Sequence, residues 1–84
     1  MIWFTKHAKT KFEVFNKHGL IIPEEKVIET IEHPDTIDYS RLPLLIAQQK
    51  IDSKHVLRVV YKIVQSDIKI ITFYPGRAKQ YEKE

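Results

Sequence analysis

The residues best able to do chemistry in this chain lie near its end, where basic and aromatic side chains alternate. The segment IKIITFYPGRAKQYEKE, residues 68–84, holds Tyr74, Arg77, Lys79 and Tyr81. Arginine binds phosphate through paired hydrogen bonds, and tyrosine stacks on bases or donates its hydroxyl. Basic groups interleaved with aromatic ones are typical of sites for single-stranded RNA. The pattern therefore indicates an RNA site, and the alternative is that the tyrosines are partly buried anchors of the chain end.

A second candidate group lies along one edge of the first predicted helix. At about 100° per residue, His7, Lys11, Val14 and His18 fall within about 60° of one another. A lysine between two histidines could contact phosphates and transfer protons near neutral pH. The alternative is a boundary stripe between core and solvent, and a cationic His18 would also suit the negative end of the helix dipole.

Other kinds of catalytic or metal site find no support in the sequence. The histidines, which include His33 and His55, have no spacing typical of metal ligands, and the chain has no cysteine. Two glycines are too few for a glycine-rich phosphate loop, and no GxSxG motif is present. We therefore expect neither a metal nor a cofactor.

The length and composition predict one small domain over residues 1–84. The chain is 43% hydrophobic and 30% charged, which suits a soluble globular protein with one modest core. Its N-terminus lacks the pattern of a signal peptide, and no apolar run reaches the roughly 18 residues of a membrane span. We therefore expect a cytoplasmic protein without a membrane partner.

The net charge of +3 hides a division along the chain. Residues 1–22 carry a net charge of +3, residues 23–53 carry −4, and residues 54–84 carry +4. If the two ends meet in space, they form a basic face suited to a polyanion or an acidic partner. The alternative is a mixed surface with no dominant patch.

The elements that must position these residues follow the order (β)ααβββ. After a possible opening strand, Thr5 is a good N-cap for a helix over residues 6–18, and Gly19 suits its C-terminal end. A second helix begins near Pro23 and ends at His33-Pro34, before a turn-rich stretch. Three extended segments follow: LLIAQQKI, HVLRVVYKIV and IKIITFY. The order predicts an α+β fold with two N-terminal helices packed on a small antiparallel sheet.

The last hairpin gives a more specific expectation. If QSD is its loop, Arg58 lies opposite Tyr74, Val60 opposite Thr72, and Lys62 opposite Ile70. Arg58 and Tyr74 then share an open polar face. The opposite face is predicted to be buried under the helices and carries Leu57, Val59, Tyr61, Ile63, Ile71 and Phe73. A two-residue turn would shift this register by one position.

The ordered set of motifs resembles the small bacterial toxins of the RelE/ParE superfamily, especially the BrnT-like branch and related uncharacterised families. The resemblance rests on HA within TKHAKTKF, on NKHGL followed by IPEEKVIETIEHPD, on HVLRVVYKIV, and on IKIITFYPGRAKQYE. It spans nearly the whole chain. It implies the RelE-type fold, in which N-terminal helices pack on an antiparallel sheet.

The same resemblance implies a type II toxin that cleaves RNA and is neutralised by a separately encoded antitoxin. The substrate is often messenger RNA, and ribosome-bound messenger RNA is one possible form of it. Members of the superfamily use basic residues with tyrosine or histidine to promote attack of a ribose 2′-OH on the adjacent phosphate. The catalytic candidates are His7, Lys11, Arg58, Arg77 and Tyr81. The RNA-binding candidates are His18, Lys62, Tyr74 and Lys79.

The sequence therefore predicts a metal-independent endoribonuclease, with two alternatives. One is a non-catalytic module of the same fold that binds RNA or protein. The other is a toxin that acts on a protein target such as gyrase, as some members of the superfamily do. The sequence leaves the RNA preference and the oligomeric state open.

Overall fold

A five-stranded mixed sheet organises the fold. The computed structural model describes residues 1–81, so residues 82–84 of the predicted domain lie outside the described residues. The strands are β1 (Ile2–Phe4), β2 (Thr36–Asp38), β3 (Leu45–Lys50), β4 (His55–Val64) and β5 (Asp67–Arg77). The helices over these residues are α1 (Lys6–Lys17), α2 (Glu24–Glu32) and α3 (Ala78–Tyr81). The strands lie in the order β1-β5-β4-β3-β2, so the predicted α+β class is confirmed.

Helix α1 begins where its sequence predicts and ends one residue earlier than predicted, with His18 as its C-cap. The Oγ1 atom of Thr5 accepts a hydrogen bond from the backbone N–H of Ala8 at 3.1 Å, which makes Thr5 the N-cap. At the other end Gly19 has φ +80°, a left-handed conformation that glycine adopts without steric cost. Its N–H donates to the carbonyl of Asn16 at 3.0 Å.

Helix α2 begins one position later than its proline suggested. Pro23 is the N-cap with extended backbone, and Glu24 is the first helical residue. Glu24 and Glu25 lie in the first turn, where a negative charge is favourable near the positive end of the helix dipole. None of the helices in residues 1–81 is long and apolar enough to cross a membrane.

Both α1 and α2 pack on one side of the sheet and share one core. Helix α1 contacts β5, and α2 contacts β3 and β4. The ring of Phe12 lies 4.6 Å from the ring of Phe73, centroid to centroid, and Phe15 lies 5.9 Å from the same ring. The core contains Ala8, Ile22, Val27, Ile31, Ala47, Leu57, Val59, Tyr61, Ile70 and Phe73.

Two strands differ from the predicted small antiparallel sheet. The opening segment is a strand, but β1 pairs with β5 in the parallel direction, with Phe4 opposite Ile70. Strand β2 lies in a stretch predicted to be turn-rich, and it pairs antiparallel with β3. Because β2 has only three residues, its alternation is too short to show in the sequence.

The hairpin of β4 and β5 has a two-residue loop, not the predicted three-residue one. Val64 pairs with Asp67, so Gln65 and Ser66 form the loop. Gln65 has φ 57°, in the left-handed region that short hairpin loops require. The predicted pairing of Lys62 with Ile70 is therefore wrong, because Lys62 pairs with Lys69.

A β-bulge then restores the predicted register nearer the site. Tyr61 pairs with Ile70, whereas Val60 pairs with Thr72, so Ile71 is the extra residue. Beyond the bulge Arg58 lies opposite Tyr74, as predicted. The bulge also changes the buried face, because Ile70 is fully buried in place of Ile71. Ile63, which was predicted to be buried, is 56% exposed near the hairpin loop.

Candidate functional site

A cleft of about 620 Å³ opens on the sheet face opposite α1 and α2, and Arg58 lies in its wall. The side chain of Arg58 comes from the face that points away from Leu57 and Val59 of the core, because side chains alternate along a strand. Only 7% of Arg58 is exposed. The polar lining includes Asp38, Arg41, Gln48, Arg58, Tyr74 and Tyr81. We call this space the Arg58 cleft.

Three neighbours hold the guanidinium of Arg58 in place. Its Nε–H donates to the hydroxyl of Tyr74 at 3.1 Å, and one terminal nitrogen donates to Oε1 of Gln48 at 2.6 Å. The other terminal nitrogen donates to Oδ2 of Asp38 at 3.2 Å, which forms a salt bridge. These contacts use three of the five N–H groups of an arginine. Within residues 1–81, two N–H groups remain for a ligand in the plane of the guanidinium.

Asp38 is ionised across the neutral range. Hydrogen bonds from Ser40 and then from Arg58 lower the pKa of Asp38 to about 2. The backbone N–H of Ser40 donates to Oδ1 of Asp38 at 2.8 Å. Asp38 therefore orients Arg58 and cannot donate a proton near neutral pH.

Tyr81 covers one face of the guanidinium. The centre of its ring lies 4.1 Å from Cζ of Arg58, a cation–π arrangement. A Cβ atom at Gly76 would come within 2.5 Å of Cε2 of Tyr81, so only glycine leaves room for the ring there. Helix α3 is anchored at its start, where the N–H of Ala78 donates to the carbonyl of Lys54 at 2.7 Å.

Arg77 and Lys79 do not join the Arg58 cleft. They line a separate cleft of about 530 Å³ with Ser53, Lys54 and His55, here called the His55 cleft. Arg77 lies three residues beyond Tyr74 on β5 and is opposite His55. An odd separation along a strand places two side chains on opposite faces of the sheet, so Arg77 and Tyr74 diverge.

The candidates on α1 also lie away from the Arg58 cleft. His7 and His18 are exposed, and neither lines that cleft. Lys11 lies with its Nζ 4.9 Å from the ring centre of Phe15, on the helix that packs against the opposite face of the sheet. Lys62 is exposed on β4, nearer the hairpin loop. The predicted site residues therefore occupy several places, and only Arg58, Tyr74 and Tyr81 converge.

Sequence reasoning missed two residues of the Arg58 cleft. Gln48 lies opposite Arg58 across β3 and β4, and its 9% exposure is low for a polar side chain. Gln48 lies in the strand next to that of Arg58, and a buried polar side chain needs a hydrogen-bond partner. That requirement could have identified Gln48 from the sequence. Asp38 carried no such signal, since it lies in an unrecognised strand.

The Arg58 cleft presents a cationic group that suits an anion. It offers a fixed arginine and two tyrosines, which suit a phosphate and a base. No histidine lines it among the described residues. No group of three or more His, Asp or Glu side chains in residues 1–81 is arranged to hold a metal ion.

Comparison of the chain with protein-family models, curated proteins and solved structures found no match.

Proposed function

We propose that this protein is the toxin of a type II toxin–antitoxin pair, with a RelE-like arrangement of its elements, and that it acts on single-stranded RNA. The observation that carries the proposal is the buried Arg58, held by Gln48, Asp38 and Tyr74 beneath the ring of Tyr81 in an open cleft. An arginine with fixed geometry and free in-plane N–H groups suits a phosphodiester. The motif order described above supports the toxin assignment.

The contacts suggest how RNA would lie in the cleft. A phosphate approaches Arg58 in the plane of the guanidinium, because Tyr81 occupies one of its faces. A base stacks beside Tyr74 or Tyr81, which any of the four bases can do. The target places the action of the protein in the cytoplasm, and an antitoxin would control it.

Binding of a fluorescent single-stranded RNA, followed by anisotropy, tests the site. Tyr81→Ala removes a stacking surface worth about 1–3 kcal/mol, so we expect a roughly 5- to 150-fold loss of affinity. Arg58→Lys keeps the positive charge but loses the planar guanidinium with its paired N–H donors. We expect weaker RNA binding and little change in the fold. Lys9→Gln is the control, because Lys9 is exposed and lines none of the clefts described above.

Induced expression in bacteria tests the toxin assignment. We expect growth arrest together with loss of intact messenger RNA, and relief of both effects by Tyr81→Ala. Growth arrest with intact RNA would overturn RNA as the target and favour a protein such as gyrase.

A non-catalytic RNA-binding module is the second candidate. It is favoured by the salt bridge of Arg58 with Asp38, which offsets the charge that a transition state would need. RNA binding in solution without growth arrest or RNA loss would support it.

A further inference from the structure

His55, which lines the His55 cleft, forms a carboxylate–imidazole pair with Asp52 that the sequence did not reveal. Nδ1 of His55 lies 3.0 Å from Oδ1 and 3.1 Å from Oδ2 of Asp52. Both side chains are about half exposed, at 51% for His55 and 56% for Asp52, so a ligand can reach them. A carboxylate on one ring nitrogen fixes the tautomer and leaves the other nitrogen to act on a substrate.

The turn between β3 and β4 holds this pair rigidly. Oδ1 of Asp52 accepts hydrogen bonds from the backbone N–H of Lys54 at 2.7 Å and of His55 at 2.8 Å. The hydrogen bond from Lys54, followed by that from the His55 ring, lowers the pKa of Asp52. The ionised carboxylate therefore accepts from Nδ1–H, and Nε2 of a neutral His55 is the nitrogen with a free lone pair.

Three cationic residues line the same cleft as His55. Arg77 lies directly opposite His55 across β4 and β5. Lys54 and Lys79 also line the cleft, and Asp52 is the acidic group in contact with the ring. Three cations and a base beside one another suit a phosphodiester, whose transition state gains negative charge.

We propose that the His55 cleft is the catalytic site for RNA cleavage, with His55 as the general base and Arg77 as the group that holds the scissile phosphate. This inference rests on the proposed action on RNA. It differs from the sequence expectation, which placed the histidines of catalysis on the first helix. Asp52 is a positioning residue, because it acts through His55.

The reaction is a transphosphorylation that needs no further reactant. Nε2 of His55 takes the proton of a ribose 2′-OH, and the 2′-oxygen forms a bond to the adjacent phosphorus. The bond from phosphorus to the 5′-oxygen breaks, and that oxygen takes a proton from solvent while His55 returns its proton. The products are a 2′,3′-cyclic phosphate and a 5′-hydroxyl end.

The two clefts lie at different places along one hairpin and on opposite faces of the sheet. The pair of His55 and Arg77 lies three positions along the strands from the pair of Arg58 and Tyr74, about 10 Å at 3.3 Å per residue. Among the described residues, the His55 cleft is lined by an imidazole and the Arg58 cleft is not.

Cleavage of RNA in EDTA by the purified protein tests the proposal, with free RNA and with messenger RNA in a reconstituted translation mixture. His55→Gln should slow cleavage by about 10²- to 10⁴-fold, the usual contribution of a general base. His33→Gln is the matched control, because His33 is exposed and lines neither cleft. Arg77→Gln should also slow cleavage and should weaken RNA binding.

A pH profile separates catalysis from a structural role. The wild type should show a cleavage rate that depends on pH, and His55→Gln should change the shape of that dependence, which a merely structural role would leave unaltered. The groups facing His55 that also shape the profile are Asp52, Lys54, Arg77 and Lys79. Asp52→Asn should reduce the cleavage rate, because the ring of His55 then loses the carboxylate that orients it.

The outcomes distinguish this inference from the proposed function. RNA binding that depends on Tyr81, without cleavage by the wild type in either form of the assay, would overturn the catalytic role and leave RNA binding in place. Cleavage at the wild-type rate by His55→Gln would overturn the role of His55 as the general base and leave the action on RNA in place. A wild type that neither binds nor cleaves RNA would overturn both.

Discussion

Arg58 is the residue on which the candidate site depends, and its neighbours explain why it can be buried. An arginine that is 7% exposed needs partners for its charge and its N–H groups. Asp38 supplies the opposite charge, and Gln48 and Tyr74 supply neutral oxygens. Tyr81 completes the enclosure by covering one face. The guanidinium is therefore held in one geometry before any ligand arrives, which lowers the cost of binding.

Gly76→Ala tests the stack of Tyr81 on Arg58 without touching either residue. A Cβ atom at position 76 would lie 2.5 Å from Cε2 of Tyr81, so the ring must move away. Because the obstructed group is a side chain and not backbone, we expect weaker RNA binding with little change in the melting temperature. The anisotropy assay and thermal unfolding measure the two effects.

Gly19→Ala is the matched control for that substitution. Nothing lies within 4 Å of a Cβ atom there, but φ is +80°. We expect a loss of about 1 kcal/mol in the free energy of unfolding and unchanged RNA binding. Unchanged RNA binding by Gly76→Ala would contradict a role for the stack.

Asp38 gives a pH dependence whose sign follows from its lowered pKa. The pKa is about 2 in the folded protein, against 3.8 for the free group. The stability that Asp38 contributes is therefore fully present above pH 3.8 and is lost as the pH falls through about 2. Asp38→Asn should remove this component, so the free energies of wild type and variant should converge between these pH values. Urea unfolding at several pH values measures it, and a constant difference down to pH 2 would refute the assignment.

At the scale of elements, the bulge in β5 is the feature that brings the site together. The tight loop at Gln65 shifts the pairing by one position, and the extra Ile71 shifts it back before Thr72. Without the bulge Tyr74 would not lie opposite Arg58. Bulges commonly re-aim side chains near functional sites, and this one sets which face Tyr74 occupies.

Ile70→Ala and Ile71→Ala test the position of the bulge. Ile70 is fully buried, and its truncation should lower the free energy of unfolding by about 2–5 kcal/mol. Ile71 is only partly buried, so the same truncation should cost clearly less. Chemical denaturation measures both variants. A larger loss of unfolding free energy for Ile71→Ala would contradict the bulge and support the uninterrupted register that the sequence predicted.

The alternation of side chains along a strand also explains why residues of the C-terminal segment lie in two separate clefts. Tyr74 and Gly76 share the face of Arg58, whereas Arg77 falls on the other face and meets His55. The turn at Ala78 then carries Tyr81 back over Arg58. One short segment thus serves both clefts.

At the scale of the whole molecule, acidic residues from the middle of the chain contact basic residues from its last third. The acidic middle of the chain supplies Asp38 and Asp52, and each lies against a basic residue from the last third. The remaining cations of that third, Arg77 and Lys79 among them, line the His55 cleft. The basic residues of α1 lie on the helix-covered side, apart from the Arg58 cleft.

Local features were predictable from the sequence, because each depends on near neighbours along the chain. Helix α1 follows from its Thr5 cap, its apolar spacing and Gly19, and β4 and β5 follow from β-branched and aromatic residues with turn residues between them. The pairing of Arg58 with Tyr74 was predicted from a loop length that is wrong, and it holds because the bulge compensates for the shorter loop.

Only the tertiary structure decided which residues form a site. Asp38 reaches Arg58 from an edge strand of three residues, and Asp52 reaches His55 from a turn, and neither contact leaves a pattern in the sequence. The sequence by itself determined the class of fold, the main helices and strands, and the set of basic and aromatic residues from which a site could be built. The positions of those residues relative to one another depend on the bulge, on the parallel pairing of β1 and on the turn before Tyr81, because such long-range contacts are set by packing and not by local propensity.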